Sequence, residues 1–349
     1  MHSLLNNRKS TRRGRMRSAC RAILWGLFMT IATATAARAD QPRPIAIAIH
    51  GGAGTIERAG MTPEMENAYR KVLKQAVTKG HDILEKGGSA LDAVEAAVMV
   101  MEDSPLFNAG KGAVFTHDGR NELDAAIMDG KTLNAGAVAE VSHIRSPIQL
   151  ARLVMEKSPH VLLAGAGAEK FAVAQGMTLV DPAYFYTKER WQQLERAQKC
   201  ADAGEVTLIP DKIGTVGAVA LDREGNLAAA TSTGGMTNKS FGRIGDSPII
   251  GAGTYASNLS CAVSGTGVGE YFIRGTIARD VAALMEMAHL DLQQAADKVI
   301  HGKLTQMGGS GGIIALDRAG DIAMPFNTPG MYRAAIDKTG KLQVAIFAK

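Results

Sequence analysis

The stretch Ile213-Gly214-Thr215-Val216-Gly217-Ala218-Val219-Ala220-Leu221-Asp222 decides how this chain is read. It follows a charged segment and ends at the turn residues Arg223-Glu224-Gly225-Asn226, so it reads as a buried strand opening a hairpin. A threonine at the head of a strand needs no further account, because β-branched residues suit strands. Its hydroxyl is a poor nucleophile at neutral pH unless a base lies beside it. Making the threonine N-terminal supplies that base, since its own α-amine can accept the proton. A free α-amine titrates at about 7.7–8.0 and is partly unprotonated near neutrality. Gly214 suits such a use: without Cβ, it lets the backbone bend so that Thr215 can attack the preceding carbonyl.

Outward from this junction the chain is organised as follows. Upstream, residues 187–211 are rich in Lys, Glu, Arg, Gln and Ala and read as a solvated linker with some helical propensity. A tether suits a processing site, and equally a joint between subdomains. Downstream, Ala220-Leu221-Asp222-Arg223-Glu224-Gly225-Asn226-Leu227-Ala228 is echoed by Ala315-Leu316-Asp317-Arg318-Ala319-Gly320-Asp321-Ile322-Ala323. Each is a strand, a turn and a returning strand, and helical sequence from about Glu270 to Leu304 lies between them.

In the first half, Ile45-Ala46-Ile47-Ala48-Ile49 is a short strand that His50-Gly51-Gly52-Ala53-Gly54 should break. Thr62-Pro63 predicts the N-cap and first position of a helix ending near Lys86, before Gly87-Gly88. Ser89 caps the next helix, with Asp92 placed as in a capping box and Leu91, Val94, Val98 and Met101 as its buried stripe. Ala113-Val114-Phe115-Thr116 reads as a strand, His117-Asp118-Gly119 as a turn and residues 123–128 as another strand. Ser146-Pro147 opens a helix that ends before Pro159, and residues 161–164 are strand-like. Strands and helices in this order predict an α+β layered fold with antiparallel sheets, because the regular alternation of a doubly wound parallel sheet is missing.

Residues 1–39 carry Arg8, Lys9, Arg12, Arg13, Arg15, Arg17, Arg21 and Arg38 and no acid. A short apolar run and Ala37-Arg38-Ala39 follow the basic residues, the pattern of a cleavable export signal, and the expected destination is a bacterial periplasm. With those eight basic residues removed, 31 remain against 34 acidic ones, a net charge of −3. The basic balance of the full chain therefore argues for neither nucleic acid nor a membrane surface as partner. Cys200 and Cys261 are too few for a disulfide framework, although one bridge is chemically allowed after export.

Several motifs compete. His50-Gly51-Gly52 resembles an oxyanion loop, and Gly308-Gly309-Ser310-Gly311-Gly312 matches the spacing of a nucleophile elbow. The elbow should follow a strand and precede a helix, and here the order is reversed; no histidine follows the serine either. Gly165-Ala166-Gly167 and Gly265-Thr266-Gly267-Val268-Gly269 lack the spacing of dinucleotide or phosphate-binding loops. The histidines are scattered without metal-ligand spacing, and His50 reads as a hydrogen-bonded core residue.

Polar residues after Thr215 fall where a small amino-acid substrate can use them. Ser232-Thr233-Gly234-Gly235 ends the returning strand, so pairing would bring the Thr233 hydroxyl near that of Thr215. Gly242-Arg243-Ile244-Gly245-Asp246-Ser247-Pro248 presents a cation and an anion on a Gly-rich turn. A guanidinium grips a carboxylate through two hydrogen bonds and an aspartate takes an ammonium, which suits a zwitterionic head group; a surface ion pair is the alternative. Thr266 and Gly267 offer a hydroxyl and a backbone N–H to an oxyanion. These stretches, with Ser264-Gly265-Thr266-Gly267-Val268-Gly269-Glu270, resemble the plant-type asparaginase/isoaspartyl peptidase family of N-terminal-nucleophile (Ntn) hydrolases. His50-Gly51-Gly52-Ala53-Gly54, Pro105-Leu106-Phe107-Asn108-Ala109-Gly110 and Glu122-Leu123-Asp124-Ala125 agree in the first half, so the likeness spans nearly all of residues 45–335 in order.

The resemblance implies an α+β, four-layer αββα sandwich with antiparallel sheets, made as a precursor that cuts itself between Gly214 and Thr215. The α chain would be residues 40–214 and the β chain 215–349, with two αβ units forming an (αβ)₂ assembly. It implies Thr215 as nucleophile and, through its new amine, base, with Thr233 orienting it. Arg243 and Asp246 would hold the α-carboxylate and α-ammonium, with Gly267 and Gly269 alongside; Thr266 and Gly267 would bind the oxyanion, and Asn108 would lie near the nucleophile. No organic cofactor is expected. A sodium ion is expected on backbone carbonyls of Met101, Glu102, Ser104, Phe107, Ala109 and Lys111, where Lys111 replaces an aliphatic residue. The implied substrates are isoaspartyl dipeptides and the side-chain amide of asparagine. Two alternatives are a glycosylasparaginase, although its relatives tend to carry Asp where this chain has Gly214, and an exported protein that binds an amino acid without turnover.

Overall fold

Side-chain alternation along a few central strands sets the architecture. The computed structural model describes residues 43–202 and 214–348, and the expected export signal at residues 1–39 lies outside them. Among the described residues the strands are β1 (Ala46–Gly54), β2 (Leu123–Asp129), β3 (Ala135–Val141), β4 (Leu162–Ala164), β5 (Val216–Leu221), β6 (Leu227–Thr233), β7 (Thr254–Ala256), β8 (Cys261–Gly267), β9 (Gly311–Asp317), β10 (Ile322–Ala323), β11 (Gly330–Ile336) and β12 (Leu342–Phe347). The helices are α1 (Pro63–Glu85), α2 (Ala90–Glu102), α3 (Pro147–Lys157), α4 (Gly165–Ala174), α5 (Lys188–Asp202), α6 (Gly269–Gly275), α7 (Ile277–Ala288) and α8 (Leu292–Asp297), the last running into a π-helical segment, Lys298–Leu304.

Eight strands form one sheet in the order β12-β11-β1-β5-β6-β2-β3-β4, and four form another in the order β10-β9-β8-β7. Every pair is antiparallel except β3 with β4. On β1, Ile47 and Ile49 pack into the core under α1 and α2, while Ala46 and Ala48 face the second sheet. Val216, Ala218 and Ala220 of β5 join the helix-side core, and Val219 and Leu221 face the seam between the sheets. On β8, Val263 packs beneath α7 and α8 and Ala262 faces the seam. Three cores, helix to sheet, sheet to sheet and sheet to helix, make the αββα sandwich.

The period of two has a consequence for the site. His50, Thr215, Gly217, Thr231 and Thr233 share the parity of the seam residues on their strands, as do Ser264 and Thr266 on β8. The seam is therefore apolar at one end, around Leu221, Leu227 and Leu316, and polar at the other.

Local signals act as their chemistry requires. Thr62 Oγ1 accepts from Met65 N–H, and Pro63 stands at the first position of α1. Ser89 Oγ accepts from Asp92 N–H at 3.1 Å. The capping box is only half made, because the Asp92 carboxylate turns to Arg152 at 3.1 Å.

Three expectations are corrected. The His50–Gly54 stretch does not end β1: the strand continues through a bulge between His50 and Ala53, made possible by Gly52 at φ 112°. Residues 113–116 form no strand, and Thr116 only bridges Lys239. Residues 188–202 are not a solvated tether but α5, and residues 203–213 lie outside the described residues. Arg190 is buried and its Nε donates to Gly112 O at 2.7 Å, while Trp191 packs edge-on against Phe115. An arginine stem and an indole supply the buried surface that the polar composition disguises.

Gly80 lets α1 approach β1 and α2: a Cβ there would lie 2.4 Å from Ile47 Cδ1 and 2.8 Å from Ala93 O. Alanine gains up to about 1 kcal/mol in helix propensity, but overpacking against a fixed carbonyl costs about 1–3 kcal/mol. Gly80→Ala should therefore lower the unfolding free energy in urea, and an unchanged or raised midpoint would show that the helix shifts freely.

Candidate active site

Thr215 stands just before β5 and is buried. Antiparallel pairing sets Val216 opposite Ser232, which brings Thr215 beside Thr233. Thr215 Oγ1 donates to Thr233 Oγ1 at 3.0 Å, and Thr233 Oγ1 also accepts from Gly235 N–H at 3.0 Å. Gly214 is wedged between the β1 bulge and the second sheet. A Cβ on Gly214 would lie 2.8 Å from Thr266 Oγ1, and one on Gly52 would lie 2.4 Å from Gly214 N. Thr266 Oγ1 in turn accepts from Ala53 N–H at 3.3 Å. The Gly214–Thr215 segment thus has a buried hydroxyl from each sheet close by, Thr233 at the Thr215 side chain and Thr266 beside Gly214, and a side chain at 52 or 214 would press on its neighbours.

The charged pair converges next to α6. Arg243 Nε and Nη2 donate to Glu270 Oε1 and Oε2 at 2.9 and 3.0 Å. That contact uses one edge of the guanidinium, so a second carboxylate would be taken on the Nη1–Nη2 edge. Asp246 is buried, and its Oδ2 has no hydrogen-bond partner among the described residues. Burial pushes its carboxyl up to about 7, against the pull of Arg243. A Cβ on Gly269 would stand 2.8 Å from Asp246 Oδ1 and 2.9 Å from Arg243 Nη2, so cation and acid meet over a missing side chain. An unpartnered buried acid beside a fixed guanidinium has the valence for an ammonium and a carboxylate on one small molecule.

Gly267 has φ 149°, and a Cβ there would lie 2.3 Å from Ser310 O, so β8 and β9 approach backbone to backbone. Asn108 has its amide engaged on both sides: Nδ2 donates to Gly235 O at 2.7 Å and Oδ1 accepts from Val114 N–H at 3.0 Å. It braces the turn after Thr233. The loop 101–111 expected to hold sodium closes tightly, since a Cβ on Gly110 would lie 2.3 Å from Glu102 O and one on Gly112 2.0 Å from Phe107 O. Its neutral carbonyl oxygens suit a hard cation. Lys111 does not disturb them, because its Nζ lies over the Tyr184 ring, 5.5 Å from the centroid. Cys200 is exposed and Cys261 buried, and both are free.

His50, expected as a hydrogen-bonded core residue, is one, and the side chains of Glu102 and Asp124 carry no role in the sequence reading. Glu102 accepts from Ser146 Oγ at 2.5 Å, Ser232 Oγ at 2.6 Å and Ile148 N–H at 3.1 Å, tying α2 to the start of α3 and to β6. Asp124 lies opposite Thr233 in the β2–β6 ladder, accepts from Glu140 N–H at 2.9 Å, and is raised by burial while Lys239 pulls it down. His50 Nδ1 lies 3.0 Å from Thr215 O. A charged or imidazole side chain inside an apolar strand, or at the end of an apolar helix for Glu102, was the available signal, since such groups are seldom buried without a partner. Glu270 left no comparable mark beside Arg243 in the sequence.

The raised Asp246 carboxyl costs stability above its folded titration point. In the pH range between its ordinary value and about 7 the folded state binds the extra proton, so stability falls as pH rises. Asp246→Asn should be more stable than the native protein at pH 8, with the advantage shrinking toward pH 4 in urea unfolding curves. An advantage that grew on acidification would contradict this environment for Asp246.

The chain is similar to known proteins over most of its length. The asparaginase family model matches residues 43–346. The chain is 57% identical over 296 residues to an isoaspartyl peptidase of Salmonella typhimurium, covering 82% of this chain and 94% of that protein. It is 57% identical over 293 residues to the isoaspartyl peptidase of Escherichia coli, covering 82% and 91%. A protein of Dictyostelium discoideum named putative isoaspartyl peptidase/L-asparaginase is 47% identical over 325 residues, covering 83% and 92%. With the family model matched over residues 43–346 and 57% identity to two isoaspartyl peptidases, this chain belongs to the asparaginase family and is a hydrolase.

Proposed function

We propose that this chain cuts itself between Gly214 and Thr215, and that the freed Thr215 then hydrolyses isoaspartyl dipeptides and the side-chain amide of asparagine. The observation that carries the reading is the Gly214–Thr215 segment with the Thr233 hydroxyl bonded to Thr215 and the Thr266 hydroxyl beside Gly214. In the first step Thr215 Oγ attacks the Gly214 carbonyl, and collapse of the adduct breaks the peptide bond to leave an ester and a free α-amine. Water then cleaves the ester. The glycines at 52 and 214 make room for the bent backbone this needs.

In turnover, Arg243 and Asp246 hold the substrate's α-carboxylate and α-ammonium, which leaves its β-carbonyl as the group presented to Thr215. The Thr215 proton passes to its own amine as Oγ adds to the carbonyl. The negative charge that develops on the carbonyl oxygen is met by the Thr266 hydroxyl and the Gly267 N–H. Collapse expels ammonia, or the amino group of the second residue, which takes the proton back from the ammonium. Water attacks the resulting β-aspartyl ester with the amine again as base, and aspartate leaves.

The backbone carbonyls of Met101, Glu102, Ser104, Phe107, Ala109 and Lys111 would hold the sodium ion. Its contribution would be to brace the loop that carries Asn108, which in turn fixes the turn after Thr233. The basic, acid-free residues 1–39 support export to a periplasm, and among the described residues no helix is long and apolar enough to cross a membrane. Two αβ units joined as (αβ)₂ are part of the same proposal, and the substrates named for the bacterial and Dictyostelium relatives favour it over an amino-acid-binding protein or a glycosylasparaginase.

Intact mass and N-terminal sequencing of the purified protein should give two chains, one beginning at Thr215. Thr215→Ala should remain one chain and lose hydrolysis of β-aspartyl dipeptides entirely; residual turnover by that variant would end the proposal. Asp246 must be ionised to accept an ammonium, and in the free protein it titrates at about 7. KM should therefore rise about tenfold for each pH unit below about 7 and level off above it. A KM that is flat from pH 5 to 8 would rule out Asp246 as the ammonium partner.

A further inference from the structure

A buried line of hydrogen bonds crosses the seam behind Thr215 and has no part in the mechanism above. His50 Nδ1 lies 3.0 Å from Thr215 O, and His50 Nε2 lies 2.9 Å from Ser264 Oγ. Ser264 Oγ is 2.7 Å from Thr231 Oγ1, which is 2.7 Å from Thr254 Oγ1. All four side chains belong to fully buried residues. Gly217 is what allows them to meet, because a Cβ there would lie 2.0 Å from Ser264 Oγ and 2.5 Å from His50 Nε2.

Counting protons fixes the direction of this line. A backbone carbonyl only accepts, so the proton in the first contact is on Nδ1. Burial pushes His50 down to about 3, so the ring is neutral at ordinary pH and carries one proton only. Nε2 is then an acceptor, and Ser264 Oγ–H must donate to it. With its proton spent, Ser264 can only accept at its 2.7 Å contact, so Thr231 donates there, and by the same reasoning Thr254 donates to Thr231. The competing acceptors lie farther away: Gly253 O is 3.2 Å from Thr231 Oγ1, and Ser247 O is 3.0 Å from Thr254 Oγ1. Gly253 O also already accepts from Gly265 N–H at 2.8 Å.

We infer that His50 is a positioning residue for the nucleophile, locked as its Nδ1–H tautomer by donors running one way from Thr254 through Thr231 and Ser264, and gripping the carbonyl of Thr215. The inference rests on Thr215 being the nucleophile. His50 takes no proton from Thr215 Oγ, since the nitrogen facing that residue is already protonated and is bonded to the main chain. Its effect is to fix the peptide plane after Thr215, and so the direction of both the hydroxyl and the α-amine. The far end of the line reaches Ser247, next to Asp246, but His50 itself bonds only Thr215 and Ser264, so loss of its grip should appear in kcat and not in KM. Misplacing a reacting atom by about 1 Å can cost on the order of a hundredfold in rate.

Two substitutions divide the ring's functions. His50→Asn keeps an N–H where Nδ1 stands, and His50→Gln reaches the position of Nε2 and Ser264 while leaving Thr215 O unheld. In the matured full-length protein, His50→Gln should lose about tenfold to a hundredfold in kcat with KM unchanged, and His50→Asn should lose distinctly less. Equal losses, the reverse order, or losses carried by KM would overturn the positioning role. The tautomer is read without turnover by nitrogen-15 NMR of the uncleavable Thr215→Ala protein, with the His50 signals assigned by their absence from a His50→Asn sample. A proton on Nδ1 and a bare Nε2 are expected, and a proton on Nε2 would overturn the one-way line. If the native protein shows no turnover, the reading of Thr215 falls, and the ring nitrogens still decide the direction of the bonds.

Discussion

The site depends on the seam between the two sheets being polar at one end. Two antiparallel sheets faced with alanine come close enough for short side chains to bond across the gap. Thr215 and Thr233 meet within the larger sheet, Thr266 reaches Gly214 from the smaller one, and His50 joins Ser264 between them. Each contact spans a fixed distance between rigid ladders, so a reacting group is held by the sandwich and not by a loop. Larger side chains in the seam would part the sheets and separate all of these pairs together.

The same end of the molecule concentrates buried ionisable groups. Asp246, Asp124 and Glu102 are all raised by burial, and the largest cause in each case is loss of water and not repulsion by a neighbour. Glu102 meets that cost with three hydrogen bonds, and its role is to join α2, α3 and β6. Asp246 and Asp124 each leave an oxygen unpartnered among the described residues, and Asp246 is set apart by the Arg243 guanidinium that meets it over Gly269. Similar burial thus serves different ends, and the groups that face each carboxylate tell them apart.

Much of the site was legible because short-range rules carried it. The Thr62 and Ser89 caps, the hairpin after Leu221 and its echo after Asp317 follow from local chemistry, and all are present. Thr233 was placed beside Thr215 by one assumption, that the two strands pair. The tether expected over residues 187–211 failed over its first part because Arg190 and Trp191 bury surface that their polarity conceals. The strand break expected at His50 failed because glycines permit a bulge as readily as an end. Glu270 went unnoticed because its meaning lies in a partner 27 residues away.

The sequence by itself determined the family, and it marked the proposed cleavage junction and the residue types of the proposed clamp, because Thr215, the glycines beside it and the Arg243–Asp246 turn are each contiguous motifs with their own chemistry. Only the tertiary structure decided what surrounds them. That His50 grips the Thr215 carbonyl, that Glu270 occupies one edge of Arg243, and that Asn108 is fully engaged are all contacts between segments far apart in the chain. Such contacts are set by strand register and by the packing of one sheet on another. A single residue of slip would reverse every side chain involved, and no local pattern records that alignment.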